Sequence, residues 1–426
     1  MRTAFTPEQL ADPKTAASAG AIRKCVHCGF CTATCPTYVL TGDERDSPRG
    51  RIELIREMLE GGGPPAPSTV THIDRCLSCL ACTTTCPSGV DYAQLIDHAR
   101  AYIEAHHRRP WFERTLRALI PAILTRPRRL RLALFAGRLA RPLGPLFERL
   151  KAPQLAALLR LVPPPAATPQ VSRAARGRAK GRVVLLQGCV EPAMAPQIRA
   201  AAIRLITRAG YEVVLAEGEG CCGAISEHLG RAGEAQGMAR ANLSAWAKAG
   251  KIDAIVTTAA GCGTALKAYG RLLGQPGEAT AAKARDVLEF IAEVGLPEVV
   301  TARRPSVAYH AACSLQHGQQ IKAAPPRLLA EAGYEVRQVP EGHLCCGSAG
   351  VYNILQSAFA TQLRDRKAAN IRSTGATVLA AGNIGCMAQL SPVLDMPVVH
   401  PVELLDWATG GPPPPALTPA GARVSP

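Results

Sequence analysis

Short apolar runs alternate with longer amphipathic segments throughout the chain after residue 181. The segments 196–209, 228–249 and 354–373 repeat their apolar residues at helical spacing, whereas the short runs have the length and composition of buried strands. Alternating strands and helices are typical of parallel sheets in an α/β arrangement. The strands are expected at 183–187, 213–216, 254–258, 307–310, 336–339 and 377–381.

The pattern before residue 107 is helical and contains two predicted helices. The first begins at Pro48, after the N-capping residue Ser47, and ends at Glu60 before a run of glycine and proline. The second extends from Tyr92 to about His106. We therefore expect this part of the chain to form an α-helical domain.

Apolar and basic positions alternate over residues 107–151, which we call the basic belt. The belt holds twelve cations and two acids, and residues 152–182 add six cations and no acid, so these segments account for the net charge of +16. A basic, apolar surface suits anionic lipid, nucleic acid or an acidic protein. The alternatives are a helical hairpin packed on the protein and a solvated linker, and 162–181 reads as a linker. Four prolines are expected to break the belt into short helices: Pro121, Pro127, Pro142 and Pro145.

The cellular compartment follows from the 16 cysteines and from the apolar content. The start of the chain lacks the apolar segment of a signal peptide, and no run of about 18 uncharged apolar residues is present. We therefore expect a cytoplasmic protein whose cysteines bind metal instead of forming disulfides.

Eight cysteines form two copies of C-x2-C-x2-C-x3-C-P, and the copies are 51 residues apart. Three closely spaced thiolates can hold three corners of a [4Fe–4S] cube, and the cysteine before proline can reach a neighbouring cluster. Zinc sites usually use two separated C-x2-C pairs, so zinc is the weaker interpretation. The crossed pairing predicts one cluster on Cys25, Cys28, Cys31 and Cys86, and a second on Cys76, Cys79, Cys82 and Cys35.

The other eight cysteines form an internal duplication with an offset of 124 residues. Each repeat contains a Cys-Cys-Gly sequence, and the first and last cysteines of each repeat follow predicted strands. Ligands collect at the carboxyl edge of parallel sheets, so the four thiols of a repeat are expected to converge on a metal or redox site. The alternative is buried free cysteine. The sets are Cys189, Cys221, Cys222 and Cys262 (CCG site 1) and Cys313, Cys345, Cys346 and Cys386 (CCG site 2).

Two arginines and three histidines are further candidates. Arg49 and Arg51 lie in the predicted helix between the ferredoxin runs, where they offset the negative charge of a cluster or lie on a solvated face. His310, His317 and His343 belong to the second repeat and have no counterparts in the first. A structural hydrogen bond is the alternative to a role as base or ligand, and we assign no catalytic residue to this chain.

The Cys-Cys-Gly pairs follow the two ferredoxin-type runs, C-x2-C-x2-C-x3-C-P, in the chain. This combination resembles the cysteine-rich domains of the heterodisulfide-reductase type. In that family the pattern ends in C-x-x-C, and five cysteines can hold a non-cubane [4Fe–4S] cluster. This chain has Ala265 and Gln389 at the position of the fifth cysteine, which argues against a non-cubane cluster and against disulfide reduction. An ordinary cluster or zinc remains open for each repeat.

Nearly the whole chain resembles the iron–sulfur subunits of bacterial glycolate oxidase (glycolate dehydrogenase), least so over 107–180. The matching stretches include VHCGFCTATCPTY at 26–38, GDERDSPRGRIELI at 42–55, DRCLSCLACTTTCPSGV at 74–90 and HLCCGSAG at 343–350. The resemblance implies a separate FAD-binding subunit that oxidises glycolate to glyoxylate, while this chain passes electrons to a quinone or another acceptor. FAD is therefore expected on the partner subunit and not on this chain.

Two alternatives accompany this interpretation. A sibling complex would oxidise lactate or glycerol 3-phosphate, or reduce a heterodisulfide. A metal-stabilised nucleic-acid-binding protein would use the basic belt, but the belt has few aromatic residues for base stacking, so no nucleic acid is expected. The belt (107–151) is instead a candidate for peripheral contact with the inner face of the cytoplasmic membrane.

These inferences define a multidomain fold class. We expect an α-helical two-cluster ferredoxin domain, a basic helical linker, two duplicated α/β cysteine-rich (CCG) domains and a disordered tail. Their predicted ranges are 1–106, 107–181, 182–302, 303–409 and 410–426.

Overall fold

The computed structural model describes residues 1–149, 159, 162, 169–175, 177–300 and 304–418. The first part of the chain is helical, as expected. Its helices are α1 (Pro7–Leu10), α2 (Pro13–Lys24), α3 (Phe30–Ala33), α4 (Pro36–Thr41), α5 (Pro48–Gly61), α6 (Pro67–Asp74), α7 (Ala81–Thr85) and α8 (Tyr92–His106).

Helices α5 and α8 confirm the two predicted helices to within one residue. The Ser47 hydroxyl accepts a hydrogen bond from the Gly50 N–H at 3.0 Å, which satisfies a free donor at the start of α5. Ile52 and Ile55 of α5 pack with Leu95 and Ile96 of α8 in one buried core. This core holds in place the loops that carry the ferredoxin-type cysteines.

The basic belt forms helices α9 (Trp111–Leu124), α10 (Pro127–Ala140) and α11 (Gly144–Arg149). Pro121 lies inside α9, so the expectation that it breaks the helix is wrong. Ile120 is buried against Leu229 and Ile354 of the CCG region, and this packing holds α9 together across the hydrogen bond that proline removes. Of the linker expected over 107–181, residues 150–158, 160, 161, 163–168 and 176 lie outside the described residues.

The CCG region contains two four-stranded sheets, both entirely parallel, as expected. The strand orders are β2-β1-β3-β4 and β6-β5-β7-β8, so the duplication in sequence is a duplication in topology. The strands are β1 (Gly181–Leu185), β2 (Tyr211–Val214), β3 (Ala254–Thr257), β4 (Ala284–Asp286), β5 (Ser306–His310), β6 (Glu335–Gln338), β7 (Val378–Ala381) and β8 (Val398–Val399).

Thirteen α-helices accompany these strands among the described residues. In the first repeat they are α12 (Glu191–Met194), α13 (Pro196–Arg208), α14 (Ala224–His228), α15 (Ala232–Lys248), α16 (Ala260–Lys267), α17 (Tyr269–Leu273), α18 (Gln275–Lys283) and α19 (Val287–Val294). In the second repeat they are α20 (Ala324–Glu331), α21 (Tyr352–Leu355), α22 (Ser357–Arg372), α23 (Ile384–Leu390) and α24 (Pro401–Ala408).

The two repeats share one apolar core, to which both β1 and β5 contribute. Helix α13 of the first repeat packs on α24 of the second, and α19 of the first packs reciprocally on α20 of the second. The buried Asp406 of α24 forms ion pairs with Arg204, at 2.6 Å, and with Arg208 of α13. The repeats are therefore joined by apolar packing and by buried charge.

Two of the predicted segments fall partly outside the described residues. The boundary predicted at 302 and 303 lies within residues 301–303, which are among those outside. Of the tail predicted to be disordered, residues 410–418 are described and include a 3-10 turn at Pro415–Leu417, whereas 419–426 lie outside. In the described ranges, no helix has the length and apolar character that crossing a membrane requires.

Candidate iron–sulfur and CCG sites

The two ferredoxin-type loops have the same backbone conformation. His27 and Gly29 of the first loop are left-handed, with φ of 56° and 85°, and Ser78 and Leu80 at the equivalent positions have φ of 51° and 59°. The short helices α3 and α7, which follow the loops, pack against each other. This arrangement brings the cysteines of the two loops to adjacent positions in the core.

Two cavities lie between these loops, and their linings exchange cysteines. The first cavity is lined by Cys25, Cys28, Cys31, Cys82 and Cys86. The second is lined by Cys35, Cys76, Cys79 and Cys82. Each cavity therefore contains three cysteines of one run and the last cysteine of the other run. Cys82 lies at both cavities, so they are neighbours.

Four of these eight cysteines are buried, three are partly buried and Cys28 is exposed. Burial raises the pKa of Cys31 to about 11 and raises the pKa of Cys79 well above its usual range, with the nearby Cys313 adding to the shift of Cys79. Several free thiolates would repel one another here. A bound cation offsets this repulsion, and the thiols release their protons when they bind it. The chemistry of this donor set therefore fits a cluster that binds thiolates.

Polar groups around Cys35 and Cys76 can stabilise thiolates. The Ser78 N–H donates to Cys76 Sγ at 3.5 Å, and the Tyr92 hydroxyl lies 3.8 Å from the same sulfur. The Thr37 hydroxyl lies 3.3 Å from Cys35 Sγ. Hydrogen bonds to cluster sulfurs are one of the features that set a cluster's reduction potential.

Arg51 is 1% exposed, so the solvated interpretation of this residue is wrong. Its Nη1 lies 3.8 Å from Cys35 Sγ, its Nε donates to the carbonyl of His72 at 2.7 Å, and its Nη2 lies 3.3 Å from Asp46 Oδ1. The buried Asp46 also accepts from Arg75 at 3.0 Å. Arg51 thus joins the second cavity to a buried ion network.

Arg49 is partly exposed and lies at the rim of the first cavity. Its side chain pairs with Glu44 at 2.5 Å and donates to the carbonyl of His27 at 3.2 Å. Arg49 therefore fixes the first loop from outside.

The structure brings together the four cysteines of CCG site 1. Cys189 Sγ lies 3.4 Å from Cys221 Sγ, and the Cys222 thiol is within hydrogen-bonding range of Cys221 and Cys262. Gly223, at φ 91°, follows the pair, and a Cβ there would meet the carbonyl oxygen of Ala235 at 3.0 Å. The glycine therefore allows the cysteine pair to lie close to helix α15.

CCG site 2 repeats this arrangement. Cys313 Sγ lies 3.7 Å from Cys345 Sγ, and the Cys346 thiol is within hydrogen-bonding range of Cys345 and Cys386. A Cβ on Gly347 would meet the carbonyl oxygen of Ala360 at 2.5 Å. The second site also contains a histidine, because the donor atoms of His310, Cys346 and Cys386 all lie within 4.8 Å of one another.

CCG site 2 adjoins the second ferredoxin cavity. Leu77, Cys345 and Tyr352 form a small buried cluster against which Cys79 and Cys313 pack. The sequence contains no signal for this contact, because its two sides are more than 230 residues apart. The second cavity therefore adjoins both the first cavity and CCG site 2.

His317 has a structural role at this junction. Its Nδ1 lies 2.8 Å from the Thr84 hydroxyl of α7, and its Nε2 lies 3.1 Å from the carbonyl of His343. Burial lowers the pKa of His317 to about 4, so the ring is neutral near pH 7. His343 is partly exposed, and burial lowers its pKa as well.

Comparisons with known proteins agree with this geometry. A family model described as a 4Fe-4S dicluster domain matches residues 21–90, and a model described as a cysteine-rich domain matches 183–267 and again 307–391. The chain is 38% identical over 417 residues to the glycolate oxidase iron-sulfur subunit of Escherichia coli (strain K12), covering 96% of this chain and 99% of the relative.

Further similarities extend to other bacteria. The chain is 29% identical to the probable glycolate oxidase iron-sulfur subunit of Bacillus subtilis (strain 168), covering 92% of this chain and 95% of the relative. It is 26% identical to lactate utilization protein A of Bacillus pumilus, covering 53% of this chain and 99% of that protein. A crystal structure of a hypothetical protein from Helicobacter pylori shares the fold at 8% identity, with a TM-score of 0.54, covering 94% of this chain and 73% of that chain.

Proposed function

Because the chain belongs to the family of glycolate oxidase iron–sulfur subunits, we propose that it carries electrons from a flavoprotein partner that oxidises glycolate to glyoxylate towards a quinone or another acceptor. The observation that carries this proposal is the pair of neighbouring cavities, each lined by three cysteines of one run and the last of the other. Clusters held there would be close together, as electron transfer requires.

The crossed lining supports a specific ligand assignment. When bound, each [4Fe–4S] cluster accepts and returns one electron. The first set of thiolates is Cys25, Cys28, Cys31 and Cys86, and the second is Cys76, Cys79, Cys82 and Cys35. The chain's own part is to hold these thiolates, to exclude water and to direct donors such as Tyr92 and Arg51 towards the sulfurs.

Oxidation of glycolate to glyoxylate releases two electrons and two protons. A flavin can take both electrons together, and the iron–sulfur chain then accepts them one at a time. The G-x-G-x-x-G sequence at 218–223 follows β2, but it contains Cys221 and Cys222 of CCG site 1 and leads into a helix of only five residues, α14. We therefore place FAD on the partner subunit. Because the second cavity adjoins both the first cavity and CCG site 2, the sites could pass electrons from one to the next.

We propose that each CCG site also binds metal, as a further iron–sulfur cluster or as zinc. Four thiols converge in each repeat, which is enough for either. Gln389 does not replace the fifth cysteine of the heterodisulfide-reductase pattern, because its amide accepts from Asn353 at 3.0 Å and donates to the carbonyl of Ala360 at 3.3 Å.

The proposed function is tested by purifying the chain anaerobically, counting iron, sulfide and zinc, and reducing it through its partner. We expect at least about eight irons with matching sulfide, since two cubane clusters need that number. With the flavoprotein subunit present, glycolate should produce the EPR signals of reduced [4Fe–4S] clusters, and omission of that subunit should abolish them. Zinc alone, without EPR signals, would contradict the electron-transfer role.

Lactate and glycerol 3-phosphate are the alternative substrates to compare with glycolate in this assay. Faster cluster reduction by either one than by glycolate would assign the chain to a sibling complex, while leaving its role as electron carrier intact. The partial match to lactate utilization protein A makes lactate the first of these to test.

We further propose that the basic belt binds the anionic inner face of the cytoplasmic membrane. Large apolar side chains are exposed on α9 and α10, among them Trp111 (74%), Leu132 (69%) and Phe135 (58%). Exposed cations, including Arg128 and Arg131, lie on α10 beside the apolar ones. Apolar and basic groups on one helical surface suit the boundary between lipid headgroups and acyl chains.

Replacement of both Leu132 and Phe135 with glutamate is expected to weaken binding to vesicles that contain anionic lipid by at least tenfold. Inserting one such side chain into the membrane contributes about 1.5–3 kcal/mol to the binding free energy. A tenfold change in affinity corresponds to about 1.4 kcal/mol. Vesicle sedimentation measures the effect, with Val300→Glu as the control at an exposed valine elsewhere. Equal binding by the double variant, or tight salt-sensitive binding to DNA instead, would contradict the membrane assignment.

A further inference from the structure

His310 ends strand β5 and lies beside CCG site 2. The residue is 1% exposed, and within the described ranges neither of its ring nitrogens has a hydrogen-bond partner. A donor nitrogen of this ring lies within 4.8 Å of both Cys346 Sγ and Cys386 Sγ. The ring is therefore buried beside two thiols with its polar atoms free.

The other deeply buried histidines differ from His310 in this respect. His72 is bonded to Asp46 at 2.8 Å, and His317 uses both ring nitrogens. His400 accepts from the Val402 N–H at 3.1 Å and reaches the carbonyl of Thr258 at 2.9 Å. Buried polar groups are nearly always paired, so an imidazole with two unbonded nitrogens beside thiols calls for a partner other than the described residues.

The duplication provides an internal comparison for this residue. The offset of 124 residues places Leu186 of the first repeat at the position of His310. Leu186 is buried in an apolar cluster with Cys222. The two repeats thus share four thiols and differ in this fifth position, where one has an apolar side chain and the other an imidazole.

We propose that His310 is a ligand of the metal at CCG site 2, so that this site is a mixed nitrogen and sulfur centre while CCG site 1 uses sulfur alone. The inference rests on the proposed binding of metal by the CCG repeats. Thiolates with a neutral imidazole suit zinc or the iron of an iron–sulfur cluster. If iron is bound and the imidazole takes the place of one thiolate, the reduction potential is raised relative to an all-thiolate site, as it is when histidine replaces cysteine in other clusters.

The test uses the full chain, purified anaerobically, in wild-type form and as His310→Leu, which introduces the residue of the first repeat. We expect His310→Leu to lose about four irons or about one zinc per chain, or to release that metal to a chelator at least tenfold faster. His343→Leu is the control, since this histidine belongs to the same repeat and is partly exposed. The EPR signals of the ferredoxin clusters report that each variant is folded, and His310→Gln replaces His310→Leu if those signals are lost.

Spectroscopy identifies the ligand directly. With ¹⁵N-labelled histidine, bound iron should show a ¹⁵N coupling in pulsed EPR that disappears in His310→Leu and persists in His343→Leu. Bound zinc should show one nitrogen and several sulfur neighbours by X-ray absorption, with the nitrogen lost in the same variant. Metal content, release rate and spectra unchanged by His310→Leu would overturn the inference, as would a wild-type chain that has ferredoxin clusters but no metal at the CCG sites. A wild-type chain without ferredoxin clusters would overturn the proposed function instead.

Discussion

Replacement of Arg51 with methionine is expected to cost about 3–5 kcal/mol of folding stability and to empty the second ferredoxin site. Arg51 is buried and holds the carboxylate of Asp46, which is also fully buried. Removing one partner of a buried ion pair leaves an uncompensated charge, and that is the costly event. The remaining cation near Asp46, on Arg75, is partly exposed and does not replace the donors that Arg51 directs to Thr37 and His72.

The same substitution should also change the cluster electronically. The guanidinium of Arg51 is 3.8 Å from Cys35 Sγ, so it favours added negative charge on a cluster held there. In any Arg51→Met protein that retains its second cluster, the reduction potential of that cluster should be lower than in the wild type. Arg51→Lys should keep the positive charge but lose part of the hydrogen bonding of the guanidinium. The reduction potential of its second cluster should therefore lie between those of the wild type and Arg51→Met.

Thermal or denaturant unfolding, iron content and a redox titration measure these effects. Arg45→Met is the matched control, because Arg45 lies in the same segment, is exposed and pairs with Asp43 at the surface. Surface pairs contribute about 0–1 kcal/mol, so this control should retain both clusters. A stable Arg51→Met protein with full iron content and an unchanged potential would contradict the role given to the network.

The second large effect concerns which cysteines share a cluster. If each cluster takes its fourth ligand from the other run, Cys28→Ser and Cys86→Ser should remove the same cluster. Cys35→Ser and Cys79→Ser should remove the other one. Each single variant is expected to lose about four irons, because a missing thiolate opens a corner of the cubane.

Double variants make the pairing unambiguous. Substitution of Cys28 and Cys86 together should leave about four ferredoxin irons, since both changes affect one cluster, whereas substitution of Cys28 and Cys35 together should remove both clusters. The EPR spectrum of the surviving cluster should be identical within each proposed pair. If the Cys28 and Cys35 double variant kept a cluster, the fourth ligand would come from the same run and the crossed assignment would be wrong.

Much of the fold follows from local sequence. The apolar runs predicted the six longer strands, and Ser47 and Pro48 marked the start of α5. The sequence did not indicate β4 and β8, because strands of three and two residues carry too few side chains to establish an alternating pattern. The sequence predicted a helix break at Pro121, and this prediction is wrong. The packing of Ile120 on the second repeat holds α9 together, and the local sequence gives no sign of that contact.

The candidate sites divide in the same way. Cysteine spacing and the duplication indicated which thiols converge, because a metal site imposes a short-range pattern on its ligands. Arg51 carried a weak signal, since it is four residues before Ile55 and so lies on the apolar face of α5. The contact between Cys79 and Cys313 depends on the docking of domains, and no local pattern encodes it.

The reciprocal packing of α13 on α24 and of α19 on α20 has the form of a two-fold symmetric dimer within one chain. In a true homodimer, every substitution appears twice, so neither site can change without the other. When the two halves belong to one chain, a substitution can occur in one half alone. The shared apolar core still holds the two halves together. Leu186 and His310 are an instance of such independent change: the scaffold stayed paired while the chemistry of its two halves diverged.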